Sequence, residues 1–376
     1  MLNSVKSLEP AIDPNNRITF LLDWELTMKC NLSCTYCDSG LYGGRDNTTQ
    51  HPPLAQCLQT IDFMFEYVDL YMANRPNGLK YVILNVYGGE SLHHPDIVTI
   101  LQTVQQCYEK YKANWHLTVT TTTNAIVSPG KLASILPLID EFTVSYHVEN
   151  STKNKKLFRN NLLAIKAAGR RQKCVVLMHP EPDFFEDCKN MIEWLTQHQI
   201  KCLPRQLDHG PEQIHFNYHQ QQVVWFDKLY SSKGNHQSIT VESEKTDLTS
   251  VGRACCGGRQ LCVDQNYKQK TFFVDNNFVD WFCSVNHFFL YIKQVNGEVF
   301  TNKDCKMNFD SKVAPIGNLS NVRSLLDQTK AWLETGTMPT IQCKKSRCLC
   351  GVCAPKAPTK EEYNKIMPKY FKKVST

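Results

Sequence analysis

The sequence predicts an α/β fold for residues 17–208, with six parallel strands and helical crossovers closing into a partial (β/α)6 barrel. Two observations predict it. Short runs rich in apolar and β-branched residues alternate with longer segments of helical periodicity, the pattern of a parallel sheet with crossover helices. The units number six, too few for the closed eight-stranded form.

The elements follow in order. RITFLLDWEL (17–26) is the first strand. Leu54, Leu58, Ile61, Phe65 and Val68 mark one face of a helix that Pro52 and Pro53 open. KYVILNVYGG (80–89) is a buried strand ending in glycines. After Pro95, Ile97, Ile100, Leu101, Val104, Tyr108 and Tyr111 line one side of a second helix. WHLTVTTTTNA (115–125) is a strand, VSPGKLASILPLI a short helix and EFTVSYH (141–147) the next strand. Residues 151–169 read as a helix stopped by Gly169. KCVVLMHP is a strand, Phe184 to Gln199 a helix, and IKCLPRQLD (200–208) the sixth strand. From His209 to about Ser250 the pattern weakens to polar runs, with one short helix around Tyr218–Tyr230. A cysteine-rich segment follows. HFFLYIKQVNGEVFTN within it reads as a β-hairpin turning at Asn296-Gly297.

Composition narrows the function classes. The chain has 376 residues, 42% of them hydrophobic, enough for a sizeable core. No run approaches the ~20 apolar residues of a membrane span. MLNSVKSLEPAID lacks the basic-then-apolar order of a signal peptide, so the expectation is a soluble, cytoplasmic protein with no membrane partner. The net charge is +6, but six lysines from Ala354 onward, against Glu361 and Glu362, account for +4 of it. The basic tail reads as solvated, and with no basic stripe elsewhere nucleic acid is not an expected partner.

The 17 cysteines stand out. Without a secretion signal, clustered cysteines are metal ligands more often than disulfides. Cys57, Cys107, Cys174, Cys188 and Cys202 fall in apolar-patterned elements and read as small buried hydrophobes. The rest form groups: Cys30, Cys34 and Cys37; Cys255, Cys256 and Cys262; Cys283 and Cys305; and Cys343, Cys348, Cys350 and Cys353.

The first group, C-x3-C-x2-C, lies just beyond the first strand, at the carboxyl end where parallel α/β folds place their active sites. A structural zinc wants four ligands, and no fourth Cys or His follows nearby; His51 is the closest. Three thiolates instead suit a cubane whose fourth iron stays open. Cys30-Asn-Leu-Ser-Cys34-Thr-Tyr36-Cys37 resembles the signature of radical S-adenosylmethionine (SAM) enzymes, with an aromatic before the last cysteine. Gly88-Gly89-Glu90 resembles that family's glycine-rich motif, which receives the methionyl amino group. Thr122-Thr123-Asn124 stands where the family often has Thr-Asn-Gly, with Ala125 in place of the glycine. Ser145 ends the fourth strand, where a polar contact to the ribose or carboxylate is common.

The resemblance, over residues 17–208, implies a [4Fe–4S] cluster on Cys30, Cys34 and Cys37. It implies SAM contacts at Tyr36, Gly88, Gly89, Glu90, Thr123, Asn124 and Ser145. The implied chemistry is reductive cleavage of SAM to a 5′-deoxyadenosyl radical that abstracts a substrate hydrogen. Iron–sulfur potentials reach down to about −700 mV, so a flavodoxin- or ferredoxin-type donor is implied. No catalytic residue beyond the cluster is assigned. His147, His179 and Arg205 also end strands and are candidate substrate contacts.

Cys283 and Cys305 around the hairpin, followed by Cys343, Cys348, Cys350 and Cys353, resemble the SPASM or Twitch extension, which carries auxiliary [4Fe–4S] clusters. The spacing C-x4-C-x-C-x2-C departs from the usual C-x2-C-x5-C-x3-C. One auxiliary cluster on Cys283, Cys305 and two of the last four is the preferred reading. Two clusters would recruit from Cys255, Cys256 and Cys262, and a zinc site on the last four remains open. The expected organisation is a lead-in (1–16), a radical SAM core (17–208), a bridge (209–250), a SPASM/Twitch-like domain (251–355) and a basic tail (356–376). The substrate is a peptide, as for many SPASM-type relatives acting on ribosomally made peptides, or else a small metabolite. About sixteen residues before the first strand are too few for a fused peptide-recognition domain, so recognition would fall to a partner or the bridge. A non-catalytic Fe–S or zinc protein on the same fold is the alternative from another class.

Overall fold

The structure, a computed structural model, describes residues 18–37, 50–75, 80–209, 214–231, 278–301, 315–336, 340–343 and 356–369. Six strands of the core are β1 (Ile18–Thr27), β2 (Lys80–Gly88), β3 (His116–Thr123), β4 (Glu141–Tyr146), β5 (Arg171–Met178) and β6 (Cys202–Gln206). Five helices alternate with them: α1 (Leu54–Ala73), α2 (Ile97–Tyr108), α3 (Pro129–Ile135), α4 (Thr152–Ala167) and α5 (Pro182–Gln197). Every neighbouring pair from β1 to β6 is parallel. All six carboxyl ends therefore open on one rim.

Local signals explain the boundaries. Ser128 and Ser151 accept from the backbone N–H of Lys131 and Asn154, capping α3 and α4. Pro182 opens α5. Gly169, at φ +67°, ends α4. Strand periodicity sorts β1: Phe20, Leu22, Trp24 and Leu26 are fully or almost fully buried in the core, with Phe20 packed on Tyr67 and Tyr71 of α1. By alternation Asp23 and Glu25 face the opposite side, the barrel interior. There Asp23 accepts from Asn85 Nδ2 at 3.0 Å and Glu25 accepts from Tyr291 Oη at 2.6 Å.

Beyond the core come β7 (Asp208–His209), β8 (Ile214–His215) and α6 (Gln220–Ser231), close to the helix expected in the bridge. The hairpin is present as β10 (Phe289–Lys293) and β11 (Glu298–Phe300), with Gly297 at φ +71° in its turn. It is hydrogen-bonded to the core. β10 pairs parallel with β1, Leu21 opposite Phe289 through Glu25 opposite Lys293. β11 and β12 (Gly317–Asn318) continue antiparallel, giving a nine-stranded sheet ordered β12-β11-β10-β1-β2-β3-β4-β5-β6. Helix α7 (Val322–Thr335) packs beside α1.

A second small sheet holds β9 (Phe282–Cys283) between β13 (Ile341–Gln342) and β14 (Lys356–Ala357). β14 and α8 (Lys360–Ile366) belong to the segment expected to be a solvated tail. Lys356 is wholly buried, and Tyr363 and Met367 join the core. Apolar side chains at 357, 363 and 367 outweigh the local lysine density, and the lysines on α8 stay exposed. No helix among the described residues is long and apolar enough to cross a membrane.

Candidate functional site

The cysteine loop leaves the carboxyl end of β1, where the register with β2 shifts between Glu25 and Thr27. Such a bulge re-aims the strand end. Gly88 and Gly89 close onto this point, backbone on backbone. Gly89 N donates to Thr27 O at 2.7 Å and Glu90 N to Lys29 O at 2.9 Å. A Cβ on Gly88, at φ +152°, would lie 2.0 Å from Thr27 O; one on Gly89 would lie 2.4 Å from Met28 O. The glycines are thus required by the entry to the cysteine loop itself.

Glu90 is 2% exposed. Its Oε1 accepts from Leu92 N at 3.0 Å and Thr123 Oγ1 at 2.7 Å, and its Oε2 from Asn124 N at 2.6 Å. Three of roughly four acceptor positions are therefore taken by the chain. Burial raises its pKa above the usual carboxylate value, against these donors. Asn124 relays the link to the loop: its Nδ2 donates to Asn31 Oδ1 at 2.8 Å and lies 3.8 Å from Cys30 Sγ. Asn31 in turn donates to Ile126 O at 2.8 Å. Ala125, at φ +54°, holds the left-handed conformation that a glycine adopts without cost.

Cys30 Sγ also accepts from Leu32 N at 3.4 Å. Burial pushes the Cys30 thiol up to about 12, and negative charge on Glu90, Cys37 and Cys34 adds to it. On the far side of the loop Cys34 Sγ lies 3.4 Å from His147 Nδ1, and Tyr36 Oη lies 3.0 Å from the same nitrogen. Burial holds the His147 ring neutral, its pKa lowered to about 4. Thr35 N donates to Glu149 Oε2 at 2.6 Å, and the Thr35 hydroxyl also bonds Glu149. His179 Nδ1 accepts from Glu181 N at 3.1 Å, which leaves the proton on Nε2, 3.4 Å from Glu149 Oε1.

So the structure brings Cys30, Cys34, Cys37 and Tyr36 together with Gly88, Gly89, Glu90, Thr123, Asn124, His147 and His179 around one loop. Ser145 lies on β4 opposite Val175, and Arg205 on β6 opposite Leu177. His51 pairs with Thr27 Oγ1 at 3.1 Å and packs on His94; burial lowers its pKa to about 4. Glu149 and Asn31 were missed in the sequence. Glu149 carried no strand pattern, because it lies in the turn that follows β4. Asn31 carried no signal, since its partners at 124 and 126 come from another unit.

No disulfide joins two of the described cysteines. Cys57, Cys107, Cys174, Cys188 and Cys202 are buried, in keeping with their apolar settings. Cys283 is 4% exposed on the central strand of the small sheet, with Ile341 and Lys356 as its register partners. Cys343 N donates to Trp281 O at 2.8 Å. Cys283 and Cys343 thus sit on paired segments. Cys255, Cys256, Cys262, Cys305, Cys348, Cys350 and Cys353 lie outside the described residues. Among the described residues no three His, Cys, Asp or Glu side chains converge on a point suited to a single metal ion.

No protein-family model matches the chain, and no curated protein matches it in sequence. Solved structures resemble it. One is Streptococcus suis SuiB bound to precursor peptide SuiA, at 12% identity and TM-score 0.49, covering 83% of this chain and 65% of that one. Another is native anSMEcpe with bound AdoMet and Cp18Cys peptide, at 11% identity and TM-score 0.48, covering 94% of this chain and 96% of that one. The chain thus spans under two thirds of the SuiB chain.

Proposed function

We propose that the chain is a radical SAM enzyme that modifies a peptide, using a [4Fe–4S] cluster on Cys30, Cys34 and Cys37. The observation that carries the reading is the construction of that loop. Three thiols leave the carboxyl end of β1 and are held by the ends of β2, β3, β4 and β5. The donor set fits the cluster: Leu32 N and Asn124 Nδ2 point at Cys30, and His147 lies against Cys34. Burial of Cys30 disfavours a free thiolate, a cost that bound iron offsets. When bound, the cluster supplies one electron to the sulfonium of SAM, giving methionine and a 5′-deoxyadenosyl radical that takes a hydrogen atom from the substrate.

The chain's residues orient and shield. Glu90 and Asn124 lock the ends of β2 and β3 to the loop, leaving one Glu90 lone pair for the methionyl ammonium. Tyr36, partly buried, walls the loop on the side of His147 and His179. Ser145 and Arg205, on interior-facing positions of β4 and β6, are placed for polar contacts to SAM or substrate. Cys283 and Cys305, with two of Cys343, Cys348, Cys350 and Cys353, are candidate ligands of an auxiliary [4Fe–4S] cluster; of these, Cys283 and Cys343 sit on paired segments. A flavodoxin- or ferredoxin-type protein is the electron donor. What supports the peptide reading is the SPASM/Twitch-like cysteine pattern, because many relatives with that extension act on ribosomally made peptides.

Anaerobic reconstitution followed by dithionite and SAM tests the enzyme reading. The expected product is 5′-deoxyadenosine, absent from the Cys30→Ala/Cys34→Ala/Cys37→Ala protein. Yields equal to that control would sink the proposal. Co-expression with short open reading frames flanking its gene, followed by mass spectrometry, tests the substrate class. A mass change on a peptide is the expected result.

A further inference from the structure

We propose that His147 is a positioning residue for the cluster: its Nδ1–H donates a hydrogen bond to the Cys34 sulfur and raises the reduction potential of the cluster that this sulfur holds. The inference rests on the radical SAM reading and goes beyond it, because His147 was singled out in the sequence as a substrate contact. The geometry gives the ring a different task. Its Nδ1 lies 3.4 Å from Cys34 Sγ and 3.0 Å from Tyr36 Oη. The Tyr36 and His147 rings are nearly coplanar in orientation, 6° apart, with centroids at 6.0 Å. His147 Nδ1 therefore lies within reach of both the Cys34 sulfur and the Tyr36 hydroxyl.

The tautomer follows from the sulfur's chemistry. A cysteine bound to iron is a thiolate, which accepts hydrogen bonds and donates none. A neutral imidazole beside it is favoured with its proton on Nδ1, directed at the negative sulfur. The Tyr36 hydroxyl then has no lone pair to bond on that nitrogen, and its oxygen, 3.0 Å away, shares the Nδ1–H with the sulfur.

The placement is built. Thr35, between Cys34 and Tyr36, is gripped by Glu149 through both its N–H and its hydroxyl, and His179 steadies Glu149. The His147 carbonyl accepts from Asn150 N at 3.3 Å and Asn150 Nδ2 at 3.0 Å. The loop and the ring are thus both anchored on the turn 147–150, and their meeting point is Cys34. A hydrogen bond to a ligating sulfur stabilises the more negative, reduced cluster more than the oxidised one, so the potential rises. A side chain that merely packed against Tyr36 would leave the potential where it was.

The test is an EPR-monitored redox titration of the reconstituted full chain, following the signal that changes when SAM is added. His147→Phe keeps the ring against Tyr36 and removes the donor. Its reduced-to-oxidised ratio at fixed potential is expected to fall about tenfold, a shift of about −59 mV for one electron. His147→Asn, whose Nδ2 occupies nearly the place of Nδ1, is expected to restore most of it. A loaded His147→Phe cluster titrating at the wild-type potential would overturn the inference. Should that variant fail to load, pulsed EPR of the reduced wild-type protein labelled with 15N-histidine decides. A histidine nitrogen coupling, lost when the cluster ligands are replaced, supports the bond, and its absence overturns it. A wild-type chain forming no cluster that depends on Cys30, Cys34 and Cys37 would sink the radical SAM reading, and this inference with it.

Discussion

Glu90 Oε1 accepts two hydrogen bonds from the chain and Oε2 a third, which makes the residue a test of how tightly β2 and β3 are tied. In Glu90→Gln the amide Nε2 faces the Asn124 N–H, or else the other two donors, so at least one buried bond becomes a donor–donor contact. The expected loss of stability is about 1–3 kcal/mol, read as a lower urea midpoint at unchanged slope. Glu90→Ala strands all three donors and should lose more. At this scale the sequence was informative about residue type and poor about partners. Gly-Gly-Glu and Thr-Thr-Asn could be placed at neighbouring strand ends from their patterns alone. That Glu90 bonds Asn124 and Thr123, and that Glu149 reaches Thr35, depends on how far adjacent rim segments lean toward each other. Ala125 shows the limit: the left-handed backbone at this position was invisible because the residue that would have flagged it, glycine, is absent.

Two glycines at the end of β2 govern the loop after β1, so their effect belongs to the element rather than the residue. Gly88→Ala would set a Cβ 2.0 Å from Thr27 O, and Gly89→Ala one 2.4 Å from Met28 O, both against backbone. Neither contact yields by a side-chain rotation, so the strand end must move and carry the cysteine loop with it. Both variants are expected to bind less than half the wild-type iron after reconstitution, while far-ultraviolet circular dichroism stays near wild type. Wild-type iron content in Gly89→Ala would refute this account of the motif. The core elements themselves were legible because strands of five to ten residues and amphipathic helices carry strong periods. The two-residue strands β7, β8, β9, β12, β13 and β14 carry none, since a period needs more than one repeat.

Across the whole molecule the chain returns to its own beginning. Arg75, at the end of α1, bonds the His287 carbonyl and stacks at 4.3 Å over Phe288, fastening the extension to the core. His287 is buried, and burial with the charge of Arg75 lowers its pKa to about 3. Unfolding lets it titrate near 6.5, so below that pH the unfolded chain binds a proton that the folded chain refuses. Stability is fully present above pH ~6.5 and is lost as pH falls toward 3, by about 5 kcal/mol at most from this residue. Urea midpoints measured from pH 7 to 4 should decline, and less steeply in His287→Leu. An identical slope would remove His287 as the cause. The return of β10 to β1 had no trace in the sequence. The hairpin was readable from Asn296-Gly297, but a partner strand more than 260 residues away leaves no local pattern.

That pairing sets an order of events during synthesis. Trp24 bonds Gln294 across 270 residues of chain, and Glu25 bonds Tyr291 across 266. At ~5–20 residues per second, β1 emerges on the order of 10–50 s before the strand that covers its free edge. For that interval the apolar strand that leads into the cysteine loop is open on one side, exposed to pairing with any other nascent chain. The cysteine loop thus follows the earliest of the described strands, whose free edge is one of the last to be sealed.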